Sequence, residues 1–263
     1  MSLKKWVMKV NDVQKIIQGA RSISRLTALE VIDGIFEDFI EFHGDRRFGD
    51  DPAIVGGIAS LEGRPVTVIG TQKGHDVTEN IYRNFGSPHP EGYRKAIRLM
   101  RQADKFNRPI ITFINTAGAF CDVESEERGI GDAISESLLV MSRVKVPLIA
   151  IFIGEGGSGG ALALAMGNEV WMLENSMYSV LSPEGFASIL WKESSRSEEA
   201  ALVMKLTPND LLKLEIIDRI IPERRPEELL PDLKTELISS LRKWRRLSPT
   251  EIVAQRQERF RKY

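Results

Sequence analysis

Nearly continuous apolar runs divide the middle of the chain. They occupy residues 66–69, 110–114 and 148–153, and a proline directly precedes each run. Valine, isoleucine and leucine without polar alternation are typical of strands that are buried on both faces. We therefore predict a sheet that is covered by helices.

The segments between these runs follow a helical period instead. Apolar residues recur every three or four positions in residues 91–106 and 130–143, which predicts crossover helices. Ahead of them, the apolar stretches 53–59 and 65–69 flank Leu61-Glu62-Gly63-Arg64, a sequence typical of a hairpin turn. The pattern predicts a stack of strand–strand–helix units.

Both ends of the chain are expected to be mainly helical. Residues 27–42 carry apolar side chains at helical spacing, and four further helical patterns follow in the C-terminal part. They cover residues 198–205, 209–214, 227–244 and 249–260. Before them, residues 169–173 and 177–181 are predicted to pair as two strands, and Ser182 with Pro183 is predicted to begin a helix.

No change in composition marks a domain boundary, so we expect one domain over residues 1–263. It would consist of a helical N-terminal segment (residues 1–45), a core (46–195) and a helical C-terminal segment (196–263). A chain of 263 residues with 42% apolar residues is long enough to bury a full core.

Composition excludes several classes of protein. The single cysteine, Cys121, cannot form an internal disulfide or a zinc site of several thiolates, and it fits a reducing compartment such as the cytoplasm. No apolar run approaches the length of a membrane span, and no signal peptide is expected. The net charge of −1 argues against nucleic-acid binding. We expect the basic residues of positions 242–263 to form a solvated helix face, with partner binding as the second possibility.

Candidate chemistry is concentrated in residues 154–160 (GEGGSGG), which we call the glycine turn. It joins the third apolar run to the small residues 161–166, an arrangement that predicts a strand, a loop and a helix. Glycines let a backbone approach a ligand closely, and the free amides of a helix N-terminus bind anions. Because no lysine follows the glycines, an oxyanion on a carbonyl group suits the turn as well as a phosphate does. A tight packing turn without function is the alternative.

The same residues match the G-x-S-x-G pattern of serine hydrolases, which would make Ser158 a nucleophile. An α/β-hydrolase needs its histidine after the serine, whereas the three histidines, His43, His75 and His89, all precede it. A Ser–Lys pair stays open but has no second signal. The histidines are also far apart and lack metal-ligand spacing, so we expect no metal site.

A second loop, residues 115–120 (NTAGAF), leaves the end of its strand as the glycine turn leaves the next one. Two adjacent strand ends would offer backbone amides to one pocket, and Lys73, at the end of the first run, is expected to line it. The basic residues after position 93 form either a solvated helix face or a phosphate site. They are Arg94, Lys95, Arg98, Arg101 and Lys105.

Several long motifs occur together and in one order along residues 25–222. They are FGDDPAIVGG (48–57), QKG (72–74), RNFGSPHPEGYRKAIRL (83–99), residues 109–120, residues 154–164 and YSVLSPEGFASILW (178–191). Together they closely resemble the α-subunit family of bacterial acetyl-coenzyme A carboxylase carboxyltransferases. The resemblance implies an α/β, crotonase-like (ClpP/crotonase) superhelix of ββα units with helical N- and C-terminal extensions.

The resemblance also implies a reaction and partners. The family moves the carboxyl group of carboxybiotin, carried on the biotin carboxyl carrier protein, to acetyl-CoA, and so makes malonyl-CoA for fatty-acid synthesis. The partners would be a carboxyltransferase β subunit that bears a zinc ribbon, in an α2β2 assembly, together with the carrier protein and biotin carboxylase. Carboxybiotin and acetyl-CoA would be substrates, and no cofactor is expected to be bound in this chain.

The family's paired glycines, which hold the ureido oxygen of biotin, match Gly159 and Gly160. Further substrate-binding positions are expected in the two loops and at the end of the first run. They are Gly156, Gly157, Ser158, Gly118, Ala119 and Lys73. The released biotin anion can take the methyl proton itself, so the lack of a histidine base agrees with the resemblance.

The chain departs from the family pattern at Asn115 and Ala117, where many members have Asp and Pro. This difference leaves the role of a carboxylate at position 115 in doubt. Three alternatives remain: a stand-alone acyl-CoA hydratase or isomerase of the same fold, a carboxyltransferase for another acyl-CoA, and a non-catalytic scaffold. Intact Gly159 and Gly160 argue against the scaffold, which has no need of paired amides.

Overall fold

A mixed sheet of eight strands organises residues 10–263, which are the residues that this computed structural model describes. The strands lie in the order β1-β2-β3-β4-β5-β6-β8, and β7 pairs with β5. Their bounds are β1 Glu37–Glu41, β2 Ile54–Leu61, β3 Arg64–Thr71, β4 Ile110–Thr116, β5 Leu148–Gly157, β6 Glu169–Leu173, β7 Met177–Ser179 and β8 Arg219–Ile221.

Twelve α-helices lie in this part of the chain, and short 3₁₀ or π segments accompany them at Asn84–Gly86, Ala187–Trp191 and Ser194–Arg196. The α-helices are α1 Val10–Arg21, α2 Ala28–Ile35, α3 Val77–Tyr82, α4 Pro90–Lys105, α5 Val123–Glu127, α6 Ile130–Arg143, α7 Ser158–Ala165, α8 Pro183–Phe186, α9 Ser197–Met204, α10 Pro208–Lys213, α11 Pro226–Trp244 and α12 Pro249–Phe260.

The predicted hairpin is confirmed. Strands β2 and β3 pair antiparallel, with Leu61 opposite Arg64. The two residues between them, Glu62 and Gly63, have φ angles of 51° and 67°. Two consecutive positive φ angles define a hairpin turn whose twist matches that of the flanking strands.

Helices cover the central strands on both faces, as the unbroken apolar runs predict. Ile110 and Ile114 of β4 pack into one cluster with α4 and α6, whereas Ile111 and Phe113 pack into another with α2 and α11. Strand β4 pairs parallel with β3 and with β5. The carboxyl ends of these three strands therefore lie at one edge of the sheet, and the loops that follow them meet there.

The prediction of a helix over residues 27–42 is wrong in its second half. Thr27 caps α2 with its side chain, but the helix ends at Ile35, and Glu37–Glu41 is a strand paired antiparallel with β2. The backbone groups along the outer edge of β2 need hydrogen-bond partners, and β1 supplies them. The part of the prediction that concerns residues 1–9 lies outside the described residues.

Two further strand predictions need correction. Strands β6 and β7 do not pair with each other, because both pair parallel with the long strand β5, β6 near its start and β7 at its end. The C-terminal segment, expected to be helical, also contains strand β8, which pairs with β6. The predicted helices of that segment are present within one or two residues of their expected bounds.

Candidate active site

Strand β5 passes directly into helix α7 through the glycine turn. Gly157 is the N-cap of α7, with extended backbone, and Ser158 follows in the left-handed region with a φ of 56°. Within the described chain, no side chain caps this helix, and the same holds for α4, α6, α9 and α11, whereas the N-caps of α2, α3 and α12 have such a bond. Ser158 is exposed and Gly159 half-exposed, whereas Gly160 is buried, so the helix begins at the surface and turns inward at its third residue.

The loop after β4 packs against the glycine turn, as the sequence predicts. A Cβ on Gly157 would overlap the carbonyl oxygen of Ala117, and a Cβ on Gly160 would overlap the amide nitrogen of Ala119 and lie 2.7 Å from the Gly118 carbonyl carbon. These two glycines are therefore required by the close approach of two backbones. The structure brings Gly118 and Ala119 together with the glycine turn.

Gly159 differs from Gly160 in its surroundings. A Cβ there would meet only the Ile134 side chain, at an ordinary 3.7 Å. Behind Gly160, the buried Tyr93 hydroxyl donates to the Gly160 carbonyl oxygen at 3.1 Å. Burial raises the pKa of Tyr93, so this hydroxyl keeps its proton and remains a donor.

Lys73 lies at the same edge, but its ammonium group is held by a carboxylate of the glycine turn. Its Nζ is 3.3 Å from Oε2 of Glu155, whose Oε1 accepts a hydrogen bond of 2.8 Å from Nε of Arg21. Glu155 is only 7% exposed. Burial lowers the pKa of Lys73 below its usual range, against the attraction of Glu155. Lys73 therefore reaches the turn through Glu155.

Asn115 lies between Lys73 and the glycine turn and is 4% exposed. Its side-chain Oδ1 accepts a hydrogen bond of 3.1 Å from the main-chain N–H of Glu155. Its main-chain N–H donates to Oγ1 of Thr71 at 2.6 Å. No sequence pattern assigns a role to Asn115, Glu155 or Tyr93. A charged residue between glycines at the end of an apolar strand was the signal that could have identified Glu155.

Ser158 has no base. Among the described residues, no histidine, lysine or carboxylate hydrogen-bonds its hydroxyl group. The histidines are occupied elsewhere: His43 contacts Asp50, His75 contacts Glu30 and the Ile23 carbonyl, and His89 contacts Ser125. The serine-hydrolase interpretation therefore has no support in the geometry.

Three of the five basic residues of α4 are engaged within the protein, whereas Arg101 and Lys105 are exposed, as a solvated face requires. Arg94 pairs with Asp45 at 2.7 Å, and Lys95, which is completely buried, pairs with Asp50 at 2.6 Å. Arg98 donates to the Gly44 carbonyl oxygen. Burial opposes ionisation of Asp50, but the hydrogen bonds from Lys95, the Gly44 amide and His43, together with the Lys95 charge, outweigh burial and lower the pKa of that carboxyl group. Arg94, Lys95 and Arg98 thus hold the loop after β1 against α4.

An apolar groove of about 780 Å³ lies beside α7. Leu162 of α7 lines it, together with the segment that follows β7. Of that segment, Val180 is 84% exposed, Leu190 61% and Ile189 57%. Exposed apolar patches of this kind mark interaction surfaces. Among residues 10–263, no helix has both the length and the apolar character needed to cross a bilayer.

A family model described as acetyl co-enzyme A carboxylase carboxyltransferase-like matches residues 2–263. The chain belongs to this family. A curated relative from Streptococcus sanguinis, named acetyl-coenzyme A carboxylase carboxyl transferase subunit alpha, is 58% identical over 256 residues, which are 97% of this chain and 100% of the relative. The resemblance drawn from the sequence motifs is confirmed. The name "subunit alpha" implies a carboxylase of several subunits.

Solved structures show the fold of this carboxyltransferase family. Transcarboxylase 12S superposes with a TM-score of 0.71 at 19% identity, covering 90% of this chain and 44% of that one. A Pseudomonas malonate decarboxylase hetero-dimer gives 0.63 at 18% identity, covering 75% and 84%. The predicted crotonase-like fold is confirmed. The chain spans less than half the length of the 12S chain. The alternative of a stand-alone hydratase or isomerase is not favoured by these comparisons.

Proposed function

We propose that this chain, with a β subunit, transfers the carboxyl group of carboxybiotin to acetyl-CoA and so makes malonyl-CoA for fatty-acid biosynthesis. One observation carries the proposal. The first turn of α7 has no side-chain cap in the described chain; it begins at the surface with Ser158 and Gly159, and Gly160 is buried against Gly118 and Ala119. Backbone donors held in this way stabilise an oxyanion without a titrating group.

The reaction needs stabilisation of an anion on biotin. Cleavage of the bond between the carboxyl carbon and the ureido nitrogen leaves the electron pair on biotin, with charge on the ureido oxygen. The amides of Gly159 and Gly160 donate to that oxygen, and each such donor is worth about 3 kcal/mol in comparable sites. The biotin nitrogen then takes the methyl proton of acetyl-CoA, and the enolate carbon bonds to the released carboxyl carbon.

The remaining predicted residues support this centre in different ways. Gly156 and Gly157 form the end of β5, Gly118 and Ala119 pack on the turn, and Lys73 acts through Glu155. Ser158 lies at the exposed mouth of the turn, where it can contact biotin. This chain supplies amides and no general base, which suits a reaction in which biotin itself carries the proton.

A stand-alone hydratase or isomerase would need a side-chain acid or base at the turn. The carboxylate within the turn is that of Glu155, and it is buried and paired with Lys73 and Arg21. Such a carboxylate is poorly placed for proton transfer to a substrate. The geometry therefore favours the carboxyltransferase.

The partner would be a second, zinc-ribbon-bearing crotonase-like subunit that completes the site in an α2β2 assembly. The exposed apolar residues beside α7 offer a surface for it. Of the two solved structures described above, one has a chain about twice as long and the other is a hetero-dimer. The biotin carboxyl carrier protein would deliver carboxybiotin from biotin carboxylase. A cytoplasmic location, a preference for acetyl-CoA and the lack of a bound cofactor stay predictions.

The proposal is tested by the reverse reaction, malonyl-CoA consumption with a free biotin derivative. The chain is assayed alone, its β partner alone, and the two mixed. We expect turnover only in the mixture. Turnover by this chain alone, or none in a complex whose assembly has been verified, would reject the proposal.

A further inference from the structure

We propose that Asn115 is a positioning residue that aims the glycine turn through a bulge in β5. The inference rests on the proposed function of the amides of Gly159 and Gly160. Asn115 touches neither of them. It acts on the backbone of Glu155, at the point where β5 leaves its regular pairing with β4.

The strand register shows the bulge. Strands β4 and β5 pair residue for residue from Ile110 opposite Leu148 to Ile114 opposite Phe152. The next pair is Thr116 opposite Gly156. One residue of β4, Asn115, therefore faces residues 153–155 of β5. Bulges of this kind occur beside active sites, where they bend a strand and redirect the residues after the bend.

The Asn115 side chain fills the space that the bulge creates. Its Oδ1 accepts the Glu155 N–H at 3.1 Å, and Glu155 has no paired residue in β4. A Cβ on Gly154 would lie 2.5 Å from the same oxygen, so only glycine leaves room for the amide. The Asn115 backbone is fixed in turn by its hydrogen bond to Thr71.

The far side of the bulge is held by the Glu155 side chain. Arg21 binds one carboxylate oxygen and Lys73 the other. On the side away from β4, Glu155, Gly156 and Gly157 pair regularly with β7. The bulged backbone is thus fixed from β3, β4 and α1. Loss of the Asn115 acceptor would leave a buried N–H unpaired and let the bulge relax, which would shift the amides of the next helical turn.

The test uses the complex of this chain with its β subunit. Asn115→Leu keeps the size of the side chain but removes the acceptor, Asn115→Ala removes the acceptor and leaves space, and Asn115→Asp keeps an acceptor oxygen. Because small misplacement of a reacting group is costly, we expect Leu and Ala to lower kcat by up to about 100-fold, with KM for malonyl-CoA little changed. We expect Asp to recover most of the lost kcat.

Gly160→Ala in the same assay separates this inference from the proposed function. If Gly160→Ala abolishes turnover while Asn115→Leu and Asn115→Ala keep kcat, the positioning role is wrong and the proposed function stands. If Gly160→Ala keeps full turnover, the proposed function itself fails. A loss with Asn115→Asp as large as that with Asn115→Leu would also overturn the inference, as would a fall in melting temperature that accounts for the lost activity.

Discussion

The two ends of strand β5 share one hydrogen-bonding arrangement but differ in what lies next to it. At the carboxyl end, Oδ1 of Asn115 accepts the Glu155 N–H at 3.1 Å. At the amino end, Oδ1 of Asn168 accepts the Leu148 N–H, also at 3.1 Å. In each case a buried asparagine from a neighbouring segment accepts a hydrogen bond from a main-chain N–H of β5.

The amino end is closed by a cation. Arg256 of α12 is fully buried and donates to Asn168 and to the carbonyl oxygens of Met141, Val144 and Val146. Burial lowers its pKa to about 10, so it stays charged at neutral pH. The carboxyl end instead runs into helix α7, whose N-cap has no side-chain bond. A buried polar network alone therefore does not identify a site; the carboxyl end is distinguished by the packing of an uncapped helix start against the loop of Gly118 and Ala119.

The largest effect should come from adding a side chain at Gly160, where β5 passes into α7. Gly160→Ala would drive a Cβ into the Ala119 amide and to 2.7 Å from the Tyr93 hydroxyl, so the helix N-terminus must shift. We expect kcat of the α–β complex to fall by about 1,000-fold, the upper range for loss of an oxyanion donor. Gly131→Ala is the matched control, because nothing lies within 4 Å of a Cβ there. Equal activity of the two variants would contradict the account.

At the amino end, Arg256→Met should weaken folding without touching the chemistry. Several carbonyl oxygens and Asn168 lose their donor, so we expect the free energy of unfolding to fall by roughly 3 kcal/mol. Denaturant unfolding measures the loss, and kcat per folded molecule should stay unchanged. Arg261→Met, at an exposed position just beyond the same helix, is the control. A selective loss of kcat in Arg256→Met would mean that the two ends are not separate.

The smallest effect concerns pH at the carboxyl end. Because burial lowers the pKa of Lys73, its proton is present at lower pH and is lost, as pH rises, earlier than in an exposed lysine. Glu155 then loses one of its two cations, so kcat should decline modestly on the alkaline side. In Lys73→Arg the charge persists, and we expect the alkaline decline in kcat to move to higher pH. Identical pH profiles would exclude a role for the Lys73 charge.

Most of the strands and helices can be predicted from apolar periodicity. The order in which the strands pair cannot always be predicted in this way. Unbroken runs identify β3, β4 and β5, because these strands are buried on both faces. Strand β1 is not distinguishable from a helix in the sequence. It is a short edge strand whose side chains are partly exposed, so its apolar residues show no clear period of two. The pairing of β7 depends on the extra length of β5 beyond its bulge, which no local pattern records.

The site is predictable where its chemistry lies in the backbone and not where it lies in side-chain contacts. Glycines mark the close approach of two loops, so Gly157 and Gly160 are evident from the sequence. Asn115 depends on a register shift that appears only once β4 and β5 are paired. Lys95 and Arg256 are fully buried, against the expectation that charged helix residues face solvent.

The central claim is that the amides of the glycine turn hold the biotin anion, and a crystal structure of the α–β complex with biotin tests it most directly. The account predicts that the ureido oxygen lies within about 3 Å of the amide nitrogen of Gly159 or Gly160, at the uncapped start of α7. A biotin whose ureido oxygen is bound by a side chain, or that lies away from this turn in a complex that turns over, would contradict it.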